Sequence, residues 1–182
     1  MRVDYSQMSL RNRTATISPW IVSRVWFRTE GHGDYWLVHL SQHPRACDLM
    51  ARVHWTNNNY FIHYGGAGID MFRVLGYSAD RDRAITGQST FGFCFDDLAA
   101  ESSVNMLMAQ LPRLIYAHDE GLTFGELFAT TCNTSPADSA RFEDALERLV
   151  QHKEISIVGS DGARRFKAST ITDKDQLIPA AQ

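Results

Sequence analysis

The stretch from Thr123 to Ala168 constrains the fold of this chain more than any other. It opens on Thr123-Phe124-Gly125-Glu126, a pattern in which the threonine oxygen and the glutamate three residues on satisfy the amides that a helix start leaves exposed. A short helix to about residue 131 is expected, with Cys132-Asn133-Thr134-Ser135 as a turn. Ser135 and Pro136 then offer a cap and a first-turn proline for a longer helix to about residue 153. Its buried stripe would be Phe142, Ala145, Leu146, Leu149 and Val150. Ile155, Ile157 and Val158 read as a strand, residues 159–162 as a hairpin turn and residues 165–168 as the return strand. Helix, short helix, turn, long helix and hairpin is the order of a winged helix; an unrelated α+β end piece is the alternative.

The leading helix of that order comes from residues 98–117, where Val104, Leu107, Met108, Leu111, Leu114 and Ile115 recur at three- and four-residue steps behind Asp96 and Asp97. Pro112 is expected to kink or divide it. Upstream, residues 20–28 and 35–40 are rich in β-branched and aromatic side chains across a Gly-His-Gly-Asp turn, which predicts two neighbouring strands. Pro44, after Ser41, suits the first turn of a helix ending near Trp55. Residues 60–64 are strand-like, and Phe91, Phe93 and Phe95 alternate as a half-buried strand would. The fold class expected is α+β: a polar arm at 1–19, a small mixed α/β part at 20–97, a winged-helix domain at 98–170 and a C-terminal tail at 171–182.

Charge narrows what such a domain binds. The whole chain of 182 residues has a formal net charge of -3, so attraction to nucleic acid needs a local patch. From Thr123 to Thr170 there are six Arg or Lys against seven Asp or Glu. The long helix offers Arg141, Arg148 and Lys153 among Asp138, Glu143, Asp144 and Glu147, whose carboxylates oppose phosphates. Arg164, Arg165 and Lys167 cluster in the wing. These six basic residues are the candidate partner-binding or nucleic-acid-binding set, the wing the stronger half, and docking of a protein is the reading that the mixed charge favours.

Chemistry has fewer handholds. Gly65-Gly66-Ala67-Gly68 after a strand-like run, with His63 just ahead, is a candidate ligand loop, but its spacing is not that of a dinucleotide fingerprint and a tight turn is the plainer reading. His39 and His43 straddle a strand end and a proline, without the glutamate of a zinc-binding helix, and His54 and His63 flank an aromatic and asparagine-rich stretch. An enzyme built on these histidines is a third possibility behind a binding module and a split subunit. Cys47, Cys94 and Cys132 are odd in number and lack paired spacing, so neither a disulfide framework nor a zinc site is indicated, and a reducing cytoplasm fits. No metal and no cofactor is expected, nor any membrane span.

Five blocks, residues 35–55, 60–77, 86–97, 111–117 and the run from Thr123 to Phe166, resemble in their order the C-terminal half of the three-Cys-motif partner proteins. The resemblance implies the end of a methyltransferase-like α/β domain followed by a winged helix. It further implies a partner, a three-cysteine protein of iron-sulfur or radical type. The region that would hold S-adenosylmethionine is not among these residues, so no site carries over and the chain is expected to be inactive alone. On this view it is a noncatalytic accessory protein or, alternatively, a fragment or split subunit of a methyltransferase-like enzyme. In the second case the strand edge at residues 20–40 would pair with another chain or with a second copy.

Overall fold

In the computed structural model Thr123 acts as its position predicts. Its Oγ1 accepts the Glu126 amide at 3.2 Å while the Glu126 carboxylate accepts the Thr123 amide at 3.0 Å, closing both ends of the capping box. The structure describes residues 21–29, 33–57, 67–69, 95–118 and 120–180, the first strands by backbone alone through residue 38. Strands β1 (Ile21–Thr29) and β2 (Gly33–Ser41) form an antiparallel hairpin, with Ile21 opposite Ser41 and Thr29 opposite Gly33. Helix α1 (Pro44–Thr56) follows, started by His43, whose Nδ1 accepts the Arg45 amide at 3.1 Å. Next come α2 (Asp97–Tyr116), β3 (Leu122–Thr123), α3 (Phe124–Thr131), α4 (Ser139–Gln151), β4 (Ile155–Val158), β5 (Arg164–Arg165) and β6 (Gln176–Pro179).

Helices α2, α3 and α4 enclose one core with the sheet. Leu107, Leu111 and Ile115 from α2, Leu127 from α3, Phe142, Leu146 and Leu149 from α4, and Leu177 from β6 are all 1% exposed or less. Phe128 meets Phe142 edge to face, ring centroids 5.4 Å apart. Pro112 does not divide the helix: α2 runs from Asp97 to Tyr116 through it. The deletion of one amide bond is offset by Leu111 and Ile115, which anchor the helix in the core on both sides of the proline.

Three other expectations shift. Helix α4 begins at Ser139 rather than at Pro136, capped by Asp138, whose Oδ1 accepts the Arg141 amide at 3.2 Å. Ser135 spends its hydroxyl on the Ala137 amide instead, at 3.2 Å, so it makes a turn ahead of the helix. The wing returns for two residues only. Its turn is closed by the Gly159 amide to the Ala163 carbonyl at 2.8 Å, with Gly162 at φ 77°, and β5 pairs Arg164 with Val158 and Arg165 with Ile157. Beyond Arg165 the chain leaves the sheet for a 3-10 turn at Ala168–Thr170, because the Glu147 carboxylate on α4 accepts the Ala168 amide at 2.6 Å.

The segment expected as a tail supplies β6. The sheet order is β3-β6-β4-β5, so the last strand lies in its interior, with Leu177 opposite both Leu122 and Ile157.

Candidate partner-binding surface

In a helix-turn-helix the second helix reads nucleic acid only if its outer face is free. Helix α4 is that helix, and its outer face is engaged within the chain. Helix α1 lies over its first turn. The Asp48 carboxylate accepts the Ser139 amide at 2.7 Å, Arg52 donates to Ser139 Oγ at 2.7 Å, and Trp55 Nε1 donates to the Pro136 carbonyl at 2.9 Å. Cys47, buried in the same contact, donates its thiol to the Cys132 carbonyl at 3.0 Å. The hydrogen bond with Cys132 and then burial push the Cys47 thiol above its ordinary pKa, which favours the neutral thiol.

Arg141, first of the candidate cations, is committed inward. Its guanidinium lies 3.4 Å from the Trp55 ring centroid and pairs with Asp138 at 2.9 Å. Arg148 bridges Glu101 on α2, at 2.7 Å, and Asp144 on its own helix, at 3.1 Å. Glu147 holds the 3-10 turn against the helix. Three of the four carboxylates that opposed phosphate binding in the sequence therefore serve as a cap, an ion-pair partner and a turn anchor.

The fourth, Glu143, sits half-buried beside the cleft between α1, α3 and α4, a space of about 660 Å³ also lined by Asp48, Arg52, Phe124 and Phe128. Burial raises its pKa from 4.5 to about 7; Arg52 opposes this, and the carboxylates of Asp48, Asp138 and Asp173 add to it. Between these two values the folded protein keeps a proton that the unfolded chain has lost, so this group makes stability fall as pH rises from about 4.5 to about 7. Buried His54 works in the opposite sense. Burial, with a smaller contribution from His39, lowers its pKa from 6.5 to about 4, so its contribution is intact above 6.5 and is lost as pH falls toward 4. The two slopes oppose each other and a single substitution separates them. Glu143→Gln is expected to melt higher than the parent at about pH 8 and at the same temperature near pH 4. Thermal denaturation across that range checks it; a difference independent of pH would assign Glu143 another role.

The wing divides similarly. Arg165 is drawn inward, its Nη2 3.0 Å from Asp161 and its Nε 3.4 Å from the buried carboxylate of Asp175. Arg164 and Lys167 are exposed and make no ion pair among the described residues, and the same holds for Lys153. Lys153 also departs from the ordinary backbone, at φ 59°. Its amide donates to the Val150 carbonyl and that of Glu154 to Leu149, both at 3.0 Å, which is the double closure that usually places glycine there. The six basic candidates thus separate into Arg141, Arg148 and Arg165, held by carboxylates, and Lys153, Arg164 and Lys167, which face solvent.

Of the candidate ligand loop, His63, Gly65 and Gly66 lie outside the described residues. Gly68 is described and buried; a Cβ there would fall 2.7 Å from the Gln110 side chain, whose Oε1 accepts the Ile69 amide at 2.8 Å. That close approach gives the glycine a packing reason. No group of three or more His, Cys, Asp or Glu suited to a metal occurs among the described residues. No described helix is long and apolar enough to cross a membrane.

A helix, a helix-turn-helix and a β-hairpin on one core define a winged-helix domain. The comparison with protein families agrees: residues 76–162 match the model described as a GMT-like wHTH domain. The match takes in α2, α3, α4 and β4 and stops inside the wing turn, ahead of β5 and β6. No curated protein and no solved structure matches the chain.

Proposed function

We propose that this chain is a noncatalytic winged-helix accessory protein whose winged helix docks a protein partner and does not read base sequence. Domains of this class serve nucleic-acid or protein binding, and one observation supports the second here: α4 has its N-terminal turn covered by α1, and its Arg141, Glu147 and Arg148 are held within the chain. A base-reading helix presents free Arg, Lys, Asn or Gln at that turn. The three-cysteine protein implied by the resemblance is the candidate partner. The binding module in this reading runs from Asp97 to Ala180, since β6 belongs to its sheet.

Fluorescence anisotropy with labelled duplexes tests the reading. Any duplex affinity is expected to be sequence-independent, weaker than about 10⁻⁶ M near physiological salt, and lost in the K153E/R164E/K167E variant. A selected duplex held at about 10⁻⁸ M, with binding that depends on α4 residues, would overturn it.

A further inference from the structure

The early departure of the chain from β5 leaves β4 half paired. Strand β4 has β6 along its whole length, Ile155 opposite Pro179 and Val158 opposite Gln176, but on its other side β5 reaches only Ile157 and Val158. Beside Ile155 and Ser156 lies a groove of about 420 Å³, its walls including Val150, Lys153, Arg164 and Phe166. Phe166, where the chain turns away, is 62% exposed. No carboxylate lines this groove among the described residues, and two of its cations, Lys153 and Arg164, have no partner among them.

We propose that this groove receives a short extended peptide segment of a partner protein, carrying an apolar residue next to an acidic one, added as a strand along the open half of β4. The Ile155 N–H and C=O face the open side, while those of Ser156 bond to Ile178 of β6, so Ile155 would supply the register-independent, main-chain share of the affinity. The apolar residue would sit against Val150 and Phe166 and the carboxylate would face Lys153 and Arg164. A nucleic-acid backbone matches the charge but has no use for the apolar wall. Lys153 adds a separate observation. A lysine in the left-handed region costs on the order of 1 kcal/mol relative to glycine, and strain of this kind is held where the side chain has work to do. The inference rests on the protein-docking reading and specifies its site.

The test is selection of a displayed random peptide library on the full chain. The selected peptides are expected to carry Asp or Glu beside an aliphatic or aromatic residue. Binding of a synthesised representative should fall at least about tenfold in K153E/R164E and in F166S, each checked for an unchanged melting transition, and the Ile155–Ile157 amides should shift on titration. Lys153→Gly separates function from folding: it should hold or raise the melting temperature while weakening the peptide. No enrichment, or peptides indifferent to all three changes, overturns the groove proposal, and if duplexes also fail to bind specifically the docking reading stands without it. An oligonucleotide that displaces the peptide and binds more tightly through the same residues assigns the groove to nucleic acid and overturns both.

Discussion

Ending the chain after Thr170 is expected to abolish cooperative folding of the winged helix. The cut removes Leu177, which is fully buried, and with it the strand that joins β3 to β4. Without β6, β3 loses its strand partner and β4 keeps only the two-residue wing pairing. Asp175 goes as well, and with it the carboxylate that holds Arg165 and the main-chain carbonyl that accepts the Phe124 amide at 3.0 Å. Truncating Leu177 alone to Ala should cost about 2–5 kcal/mol, the range for large-to-small changes in a closed core. A domain of this size is stable by only about 5–15 kcal/mol, so losing the whole strand exceeds what remains. Urea denaturation followed by circular dichroism should show Leu177→Ala with a lowered midpoint and the truncated chain with no sigmoidal transition. A truncated chain that unfolds at the parental midpoint would show that β6 is dispensable.

That strand was the part of the domain that the sequence hid. Gln176, Leu177, Ile178 and Pro179 make a short run with two apolar residues and a closing proline, and nothing local distinguishes it from a tail; its place is set by Leu122 and Ile157, far away in the chain. The capping box and the α4 stripe were legible because each is decided within a few residues. The length of β5 was not, since Glu147, 21 residues earlier, diverts the chain at Ala168. The same limit applies to the binding surface. Counting charges treats Arg141 and Arg165 as equals of Arg164, and only the fold shows that Trp55, Asp138 and Asp175 have taken the first two. What the sequence did contain was the clustering of cations in the wing, of which the fold leaves Arg164 and Lys167 free and takes up Arg165.

Trp55→Ala should produce the second large effect, a loss of about 3–5 kcal/mol, because three contacts meet on this one side chain, two of which fix α1 to the winged helix. Its indole N–H donates to the Pro136 carbonyl at 2.9 Å, its ring meets Phe95 edge to face at 4.7 Å, and Arg141 covers its face. Trp55→Phe keeps an aromatic surface and gives up the N–H, so it should lose only about 1–3 kcal/mol, the penalty of leaving a buried carbonyl unsatisfied. Amide exchange adds the spatial detail. The Ser139 amide, which donates to Asp48 on α1, should exchange faster in Trp55→Ala, while the Glu126 amide in the capping box should change no more than the global stability does. Unaltered Ser139 protection and a loss below about 0.5 kcal/mol would make α1 a loose attachment and remove the cover from the argument about α4. Duplex affinity of the same variant carries that argument one step further. Arg148 remains tied to Glu101 and Glu147 to the 3-10 turn whether or not α1 is in place, so releasing α1 should leave duplex binding as weak as before. A clear gain would instead make α1 an internal inhibitor of a helix able to read DNA, and the winged helix would have to be assigned to nucleic acid after all.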